Sequence, residues 1–220
     1  MIRLENVSVS VGESALLEPV SMQIDEGAAA AIHGPNGSGK STLLRVLVGM
    51  QKPTAGVVTV AGKTPTQKCA SFRRDAAAMI GLPPLASDLT VQDHVALVRA
   101  TWGLLKPVKK QSSTHEVFTE QSSVETFLDE LQIADLAHRY PHELSSGQVQ
   151  LLGLTMVLAR PFRLLVLDEP EQRLDADKVQ LVCRALKRRL DEGATVVVAT
   201  HSDVLSSMMK SQRLLLKTAV

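Results

Sequence analysis

Aromatic residues are nearly missing from this sequence: one Trp, one Tyr and four Phe among 220 residues. Because 45% of the residues are apolar, a sizeable core can still form, but it must be built from aliphatic side chains. Cysteine is as scarce. Cys69 and Cys183 are the two present and show no metal-ligand spacing, so they read as two reduced thiols, with Cys183 on an apolar helical stripe. An excess of charge is missing too: 24 basic residues face 23 acidic ones, for a net of +1. That balance gives no electrostatic reason to expect nucleic acid or an anionic membrane surface as the main partner. No apolar run approaches the ~18 residues a bilayer span needs. Residues 1–6 lack the basic start and apolar stretch of an export signal. The chain is therefore expected to remain cytoplasmic and to form no transmembrane path of its own.

What is present is an ordered series of strand and helix patterns. Residues 2–11 alternate as a half-buried strand does. Residues 28–33 form a short apolar run between Gly27 and Gly34, as a buried strand would. A helix is expected to start near Gly39 with Leu43, Leu44, Leu47 and Val48 on its buried side. Strands are expected over 56–60 and 75–80. Residues 90–102 carry Val91, Val95, Val98 and Trp102 at helical spacing, and further helical pattern runs through Leu128, Leu131 and Leu136. Between them, 107–123 is polar and contains Lys109 and Lys110; it is expected to be a solvated loop. A helix reaching Ala159 leads into a buried strand over 163–168. Val179, Val182, Cys183, Leu186 and Leu190 share one helical face, and strands close the chain at 195–199 and 214–216. Strands alternating with helices imply an α/β fold with a mainly parallel sheet covered on both faces.

The residues with chemical meaning stand at the ends of those strands. Gly34-Pro35-Asn36-Gly37-Ser38-Gly39-Lys40-Ser41-Thr42 holds the full G-x-x-x-x-G-K-[ST] pattern, with a strand before it and a helix after it. Glycines let the backbone curl so that its N–H groups and the helix N-terminus face phosphate oxygens. Lys40 is expected on the β- and γ-phosphates of ATP, Ser41 on Mg²⁺ and Thr42 on phosphate. An ordinary glycine-rich turn would not combine all these elements. Asp168 and Glu169 end the next informative strand. Asp168 is expected to hold Mg²⁺, and Glu169 to orient or deprotonate the attacking water. Alone, an acid at a strand end is an ordinary cap; after a phosphate loop it is specific. His201 follows the strand 195–199. A lone histidine there would read as a loop or capping residue, but its strand delivers it to the same edge, within reach of the γ-phosphate.

Leu144-Ser145-Ser146-Gly147-Gln148 resembles the Leu-Ser-Gly-Gly-Gln signature of ATP-binding cassette (ABC) proteins. By itself it could be a helix N-cap. Leu174-Asp175, after Asp168-Glu169-Pro170, resembles the family's D-loop, and His201 its switch histidine. The resemblance covers nearly the whole chain. It implies a phosphate-loop NTPase core with a mainly parallel sheet, an N-terminal antiparallel β part and an inserted helical subdomain. The core would be 1–87 and 153–220, and the insertion about 88–152. It implies ATP hydrolysis in a dimer with a second ABC ATPase subunit, homotypic or heterotypic. The signature residues Ser145, Ser146, Gly147 and Gln148, with Asp175, would close over the nucleotide held by the facing phosphate loop. It also implies a separate membrane permease as the partner that receives the work.

The sequence departs from the family pattern at four places. Val11 stands where an adenine-stacking aromatic is usual. No glutamine occurs in 79–87, where the family has one that touches Mg²⁺. Ser146 replaces a glycine, and Glu171-Gln172-Arg173 replaces small residues. Two other classes compete with a transporter ATPase. One is a soluble ATP-gated dimer switch or assembly factor; the other, a small-molecule kinase, is opposed by the signature and D-loop.

Overall fold

Alternation shapes the first strand until a bulge interrupts it. β1 (Ile2–Val11) buries Ile2 and Leu4, then Val7 and Val9. The step from Leu4 to Val7 breaks the period of two, and there the pairing register shifts and Asn6 adopts φ 49°. One extra residue in the strand restores the apolar side chains to the same face. β2 (Ser14–Ile24) pairs antiparallel with β1. Its Pro19 sits in a gap of that register, between the Leu17–Val9 and Val20–Val7 pairs. Because β2 is an edge strand, the missing proline N–H is tolerated.

The structure, a computed structural model, describes residues 1–104, 106–108, 117–119 and 121–217. After β2 the chain runs through β3 (Ala29–His33), α1 (Lys40–Leu47), β4 (Ala55–Val60), α2 (Ala70–Asp75), β5 (Ala76–Met79) and α3 (Val91–Thr101). It continues with β6 (Lys106–Val108), β7 (Val117–Thr119) and α4 (Gln121–Glu130), two short 3-10 turns at Ala134–Leu136 and Pro141–Glu143, and α5 (Ser146–Leu158). It ends with β8 (Leu164–Asp168), α6 (Ala176–Asp191), β9 (Thr195–Ala199), α7 (Asp203–Met208) and β10 (Gln212–Leu215).

Contacts divide the chain into two units. The first comprises Met1–Gly81, Phe162–Glu171 and Val182–Val220. It holds an antiparallel sheet, β2-β1-β4, and a parallel sheet of order β10-β3-β9-β8-β5. The central parallel strands are apolar without alternation, as strands covered on both faces must be: β9 is buried throughout and β8 as far as Leu167. One aliphatic cluster joins the sheets to α1, from Ile2 and Leu4 through Leu43, Leu44 and Leu47 to Ile32, Val166 and Val197. The expected face of α1 is buried as read, Leu43 and Leu44 completely. Cys183 is also fully buried.

The second unit comprises Leu82–Pro161 and Gln172–Leu181. In it α3, α4 and α5 pack on one another, burying Val91, Val95, Leu128, Leu131, Leu151 and Leu152. The stretch 107–123 is not simply a loop. β6 and β7 pair antiparallel across it, Lys106 opposite Thr119, and α4 begins at Gln121. Three-residue strands are too short to show a period, which is why the sequence reads as polar loop there. The Lys109–Lys110 pair lies outside the described residues. Among the described residues no helix is long and apolar enough to cross a membrane.

Candidate active site

Parallel pairing places three strand ends side by side. Ile32 of β3 is level with Ala199 of β9, and Ala199 with Asp168 of β8. The loops that leave these ends are 34–39, 200–202 and the turn at Glu169. In an open parallel sheet, ligands bind outside the carboxyl ends of the strands, and all three loops lie there.

The loop after β3 wraps the start of α1. Gly39 takes φ 88° and occupies the position before the helix, with no side-chain cap. A Cβ at Gly39 would lie 2.4 Å from the Leu16 carbonyl oxygen, so only glycine fits this approach. The α1 N–H groups are left to bind something other than a cap. Lys40 is buried and its Nζ donates to the carbonyl oxygens of Gly34 (2.8 Å) and Pro35 (3.1 Å). The ammonium thus bridges the loop's own mouth. Ser38 is buried and its Oγ has no hydrogen-bond partner among the described residues. A buried hydroxyl without a partner is costly, and this one lies so close to the start of the loop that a Cβ at Gly34 would come within 2.5 Å of it.

Ser41 Oγ donates to Asp168 Oδ2 at 2.5 Å, so a hydroxyl on the first turn of α1 and a carboxylate at the end of β8 meet directly. Glu169 then turns the chain with φ 48°, a left-handed conformation that costs a non-glycine residue of order 1 kcal/mol. Its N–H donates to the Ala199 carbonyl at 2.8 Å. The turn brings the Glu169 carboxylate to 3.3 Å from His201 Nε2. Lys40, Ser41, Asp168, Glu169 and His201 are therefore gathered at one sheet edge.

Residues 145–148 and Asp175 belong to the second unit. Ser145 caps α5: its Oγ accepts from the Gln148 N–H at 3.3 Å, and the Gln148 side chain accepts from the Ser145 N–H at 2.8 Å. This is a reciprocal capping box. Gly147 runs close to the turn before α6, where a Cβ would lie 2.7 Å from the Arg173 carbonyl oxygen. Asp175 accepts from the Lys178 N–H at 2.9 Å and pairs with the Lys178 ammonium at 3.0 Å. Those bonds, the backbone one first, hold the Asp175 carboxyl below the usual carboxylate range.

Three further features were legible in part or not at all. Val11 ends β1 and is exposed, beside a turn whose Gly12 has φ 59°. The segment that lacks glutamine is met from α3 by His94, which is buried; its Nε2 accepts from the Ala86 N–H at 3.0 Å while Nδ1 meets the Thr90 carbonyl at 2.8 Å. Asp93 closes a capping box with Thr90 at the start of α3. Glu171 is the third: sequence reasoning marked it only as a departure, yet its carboxylate accepts from the Thr200 hydroxyl and the His201 N–H.

Comparison with known proteins agrees with this geometry. The family model described as ABC transporter matches residues 17–172. The sulfate/thiosulfate import ATP-binding protein CysA of Vibrio cholerae is 35% identical over 91% of this chain, which spans 51% of that protein's length. The cytochrome c biogenesis ATP-binding export protein CcmA of Rhodobacter capsulatus is 32% identical over 93% of this chain and 82% of its own. A dimeric bacterial ABC transporter cassette superposes with a TM-score of 0.81 at 26% identity, over 99% of this chain and 95% of that one. A match across most of the length, with the phosphate loop and signature inside it, means that the chain belongs to the ABC transporter family of ATP-binding proteins.

Proposed function

We propose that this chain binds and hydrolyses ATP with Mg²⁺ and, paired with a second such subunit, drives a separate membrane permease. It would lie on the inner face of the membrane, held there by that permease. The observation that carries the reading is the meeting of Lys40, the Ser41–Asp168 pair and the Glu169–His201 pair at the ends of β3, β8 and β9.

The residues suit the groups they would hold. A phosphate oxygen would give the buried Ser38 hydroxyl its missing partner, and Gly34, Pro35, Asn36, Gly37 and Gly39 would line the phosphates with backbone. Lys40 would exchange its loop carbonyls for phosphate oxygens, and Thr42 would add a hydroxyl. Ser41 and Asp168 offer two hard oxygen ligands, and Mg²⁺ is commonly held by one or two protein ligands with water and substrate phosphates completing the shell. Mg²⁺ there would offset the charge that develops on the phosphates. Glu169 is the catalytic base that takes the proton of the attacking water. His201 fixes the Glu169 carboxylate and faces the γ-phosphate. Ser145, Ser146, Gly147, Gln148 and Asp175 serve the nucleotide of the facing subunit, with the N-terminus of α5 adding positive potential. In functional terms the core is 1–87 and 153–220, and 88–152 is the helical insertion. The relative in Rhodobacter capsulatus is named an ATP-binding export protein and that in Vibrio cholerae an import ATP-binding protein, which supports a transport role in either direction.

Glu169→Gln tests the reading. It removes the base but no phosphate contact, so the variant should bind ATP, lose about 10²- to 10⁴-fold in turnover and accumulate as an ATP-dependent dimer in light scattering. Undiminished turnover would refute the role. For the partner, Asp88→Lys should weaken co-purification with a membrane protein and leave basal hydrolysis intact. Asp88 is exposed, whereas Asp93 is committed to the α3 cap and is unsuitable for this test. If no membrane protein co-purifies with the native chain, the soluble dimer switch becomes the better reading.

A further inference from the structure

The ring of His201 is half exposed and meets Glu169 at 3.3 Å, so its position depends on how firmly the turn 200–202 is held. The bonds that hold this turn converge on one side chain. Thr200 is fully buried; its N–H donates to the Ile32 carbonyl at 3.1 Å, and its hydroxyl accepts from the Ser202 N–H at 2.9 Å. The same hydroxyl donates to Glu171 Oε1, and the His201 N–H donates to that oxygen at 3.1 Å. Glu171 Oε2 is buried with no partner among the described residues. On its other side the carboxylate is felt by Cys183, whose thiol is pushed up by burial first and by the Glu171 charge second. A carboxylate half withdrawn from water with one oxygen unpaired is unfavourable for folding alone. The bonds it does make all go to the residues that carry His201.

We infer that Glu171 is a positioning residue for hydrolysis: it ties the turn bearing His201 to the turn bearing Glu169. Asp168, Glu169 and Glu171 then place on one short segment a metal-facing acid, the base and the anchor of the histidine opposite the base. The inference rests on the role of His201 given above.

The acceptor oxygen, not the charge, is what the geometry requires. Glu171→Ala should lower kcat by about tenfold while changing ATP affinity less than about twofold, because a shift of an ångström in a catalytic group costs turnover and not phosphate binding. Glu171→Gln keeps an oxygen for both donors and should return kcat to within about twofold of native. Amide exchange of His201 should speed up in the alanine variant and stay near native in the glutamine variant. His201→Ala is measured alongside on the same full chain. If it turns over normally, the histidine has no catalytic role and that reading fails. If it is impaired while Glu171→Ala is not, only the tether fails. Equal loss in Glu171→Ala and Glu171→Gln, in folded proteins, also overturns it, because the charge would then matter and not the acceptor.

Discussion

Ser41 and Asp168 meet oxygen to oxygen at 2.5 Å, although 127 residues separate them in sequence. The contact ties the helix after β3 to the end of β8, one residue on from Lys40 at the start of that helix.

Lys40 should decide nucleotide binding. At a concentration ~100 times its dissociation constant, Mg-ATP should stabilise the native chain by about 2.7 kcal/mol through mass action. The melting temperature reads this directly. Lys40→Ala should show almost no shift, because the ammonium that closes the loop mouth is gone. An equal shift in the variant would remove the phosphate-loop assignment.

Val11 should make base recognition weak. It is exposed, offers no ring to a purine, and stands where the family resemblance leads one to expect an adenine-stacking aromatic. Base–aromatic stacking contributes ~1–3 kcal/mol in nucleic-acid binders, so Val11→Tyr should tighten ATP binding by roughly 5- to 150-fold. The native chain should discriminate poorly between ATP and GTP. Calorimetry with both nucleotides checks it; a strong native ATP preference with no gain in the variant would place the base elsewhere.

Ser145 should matter to folding apart from any role in the dimer. It is half of the capping box of α5, and loss of such a cap costs about 1 kcal/mol. Ser145→Ala should therefore lower stability by about that amount in denaturant titration, without nucleotide present. A variant as stable as the native chain would show that the cap is redundant.

Asp175 gives a pH dependence with a defined sign. Its folded pKa is depressed, so its contribution is present above the ordinary carboxylate value of about 4 and is lost as pH falls through the folded value below it. Compared with Asp175→Asn, the native chain should be more stable near neutrality, and the difference should fade in acid. A gap between the two that is independent of pH would mean the carboxylate charge contributes nothing.

The parallel core was readable because its strands are buried on both faces and its chemistry sits at fixed offsets from them. Ala29–His33, Leu164–Asp168 and Thr195–Ala199 are short apolar runs followed at once by Gly34, Glu169 and Thr200. β2 was not legible: Glu18 and Pro19 interrupt its alternation, and only pairing with β1 makes it a strand. α2 and α7 have six residues each, too few for a helical period to show. Glu171 was visible as an oddity but not as a contact. Its partners Thr200 and His201 lie about thirty residues on, and adjacency of β8 and β9 is a property of the folded sheet, not of spacing along the chain.

Pro19 has a consequence for how copies of this chain can meet. β2 is the free margin of the antiparallel sheet, and an open strand margin invites a neighbouring molecule to zip on through main-chain bonds. A ring nitrogen without hydrogen interrupts that seam in the middle of an eleven-residue strand. Along this margin, continuous sheet growth between molecules is blocked at Pro19. If the chain works as the reversible dimer proposed above, Pro19 protects it on this side from a self-association it could not easily reverse.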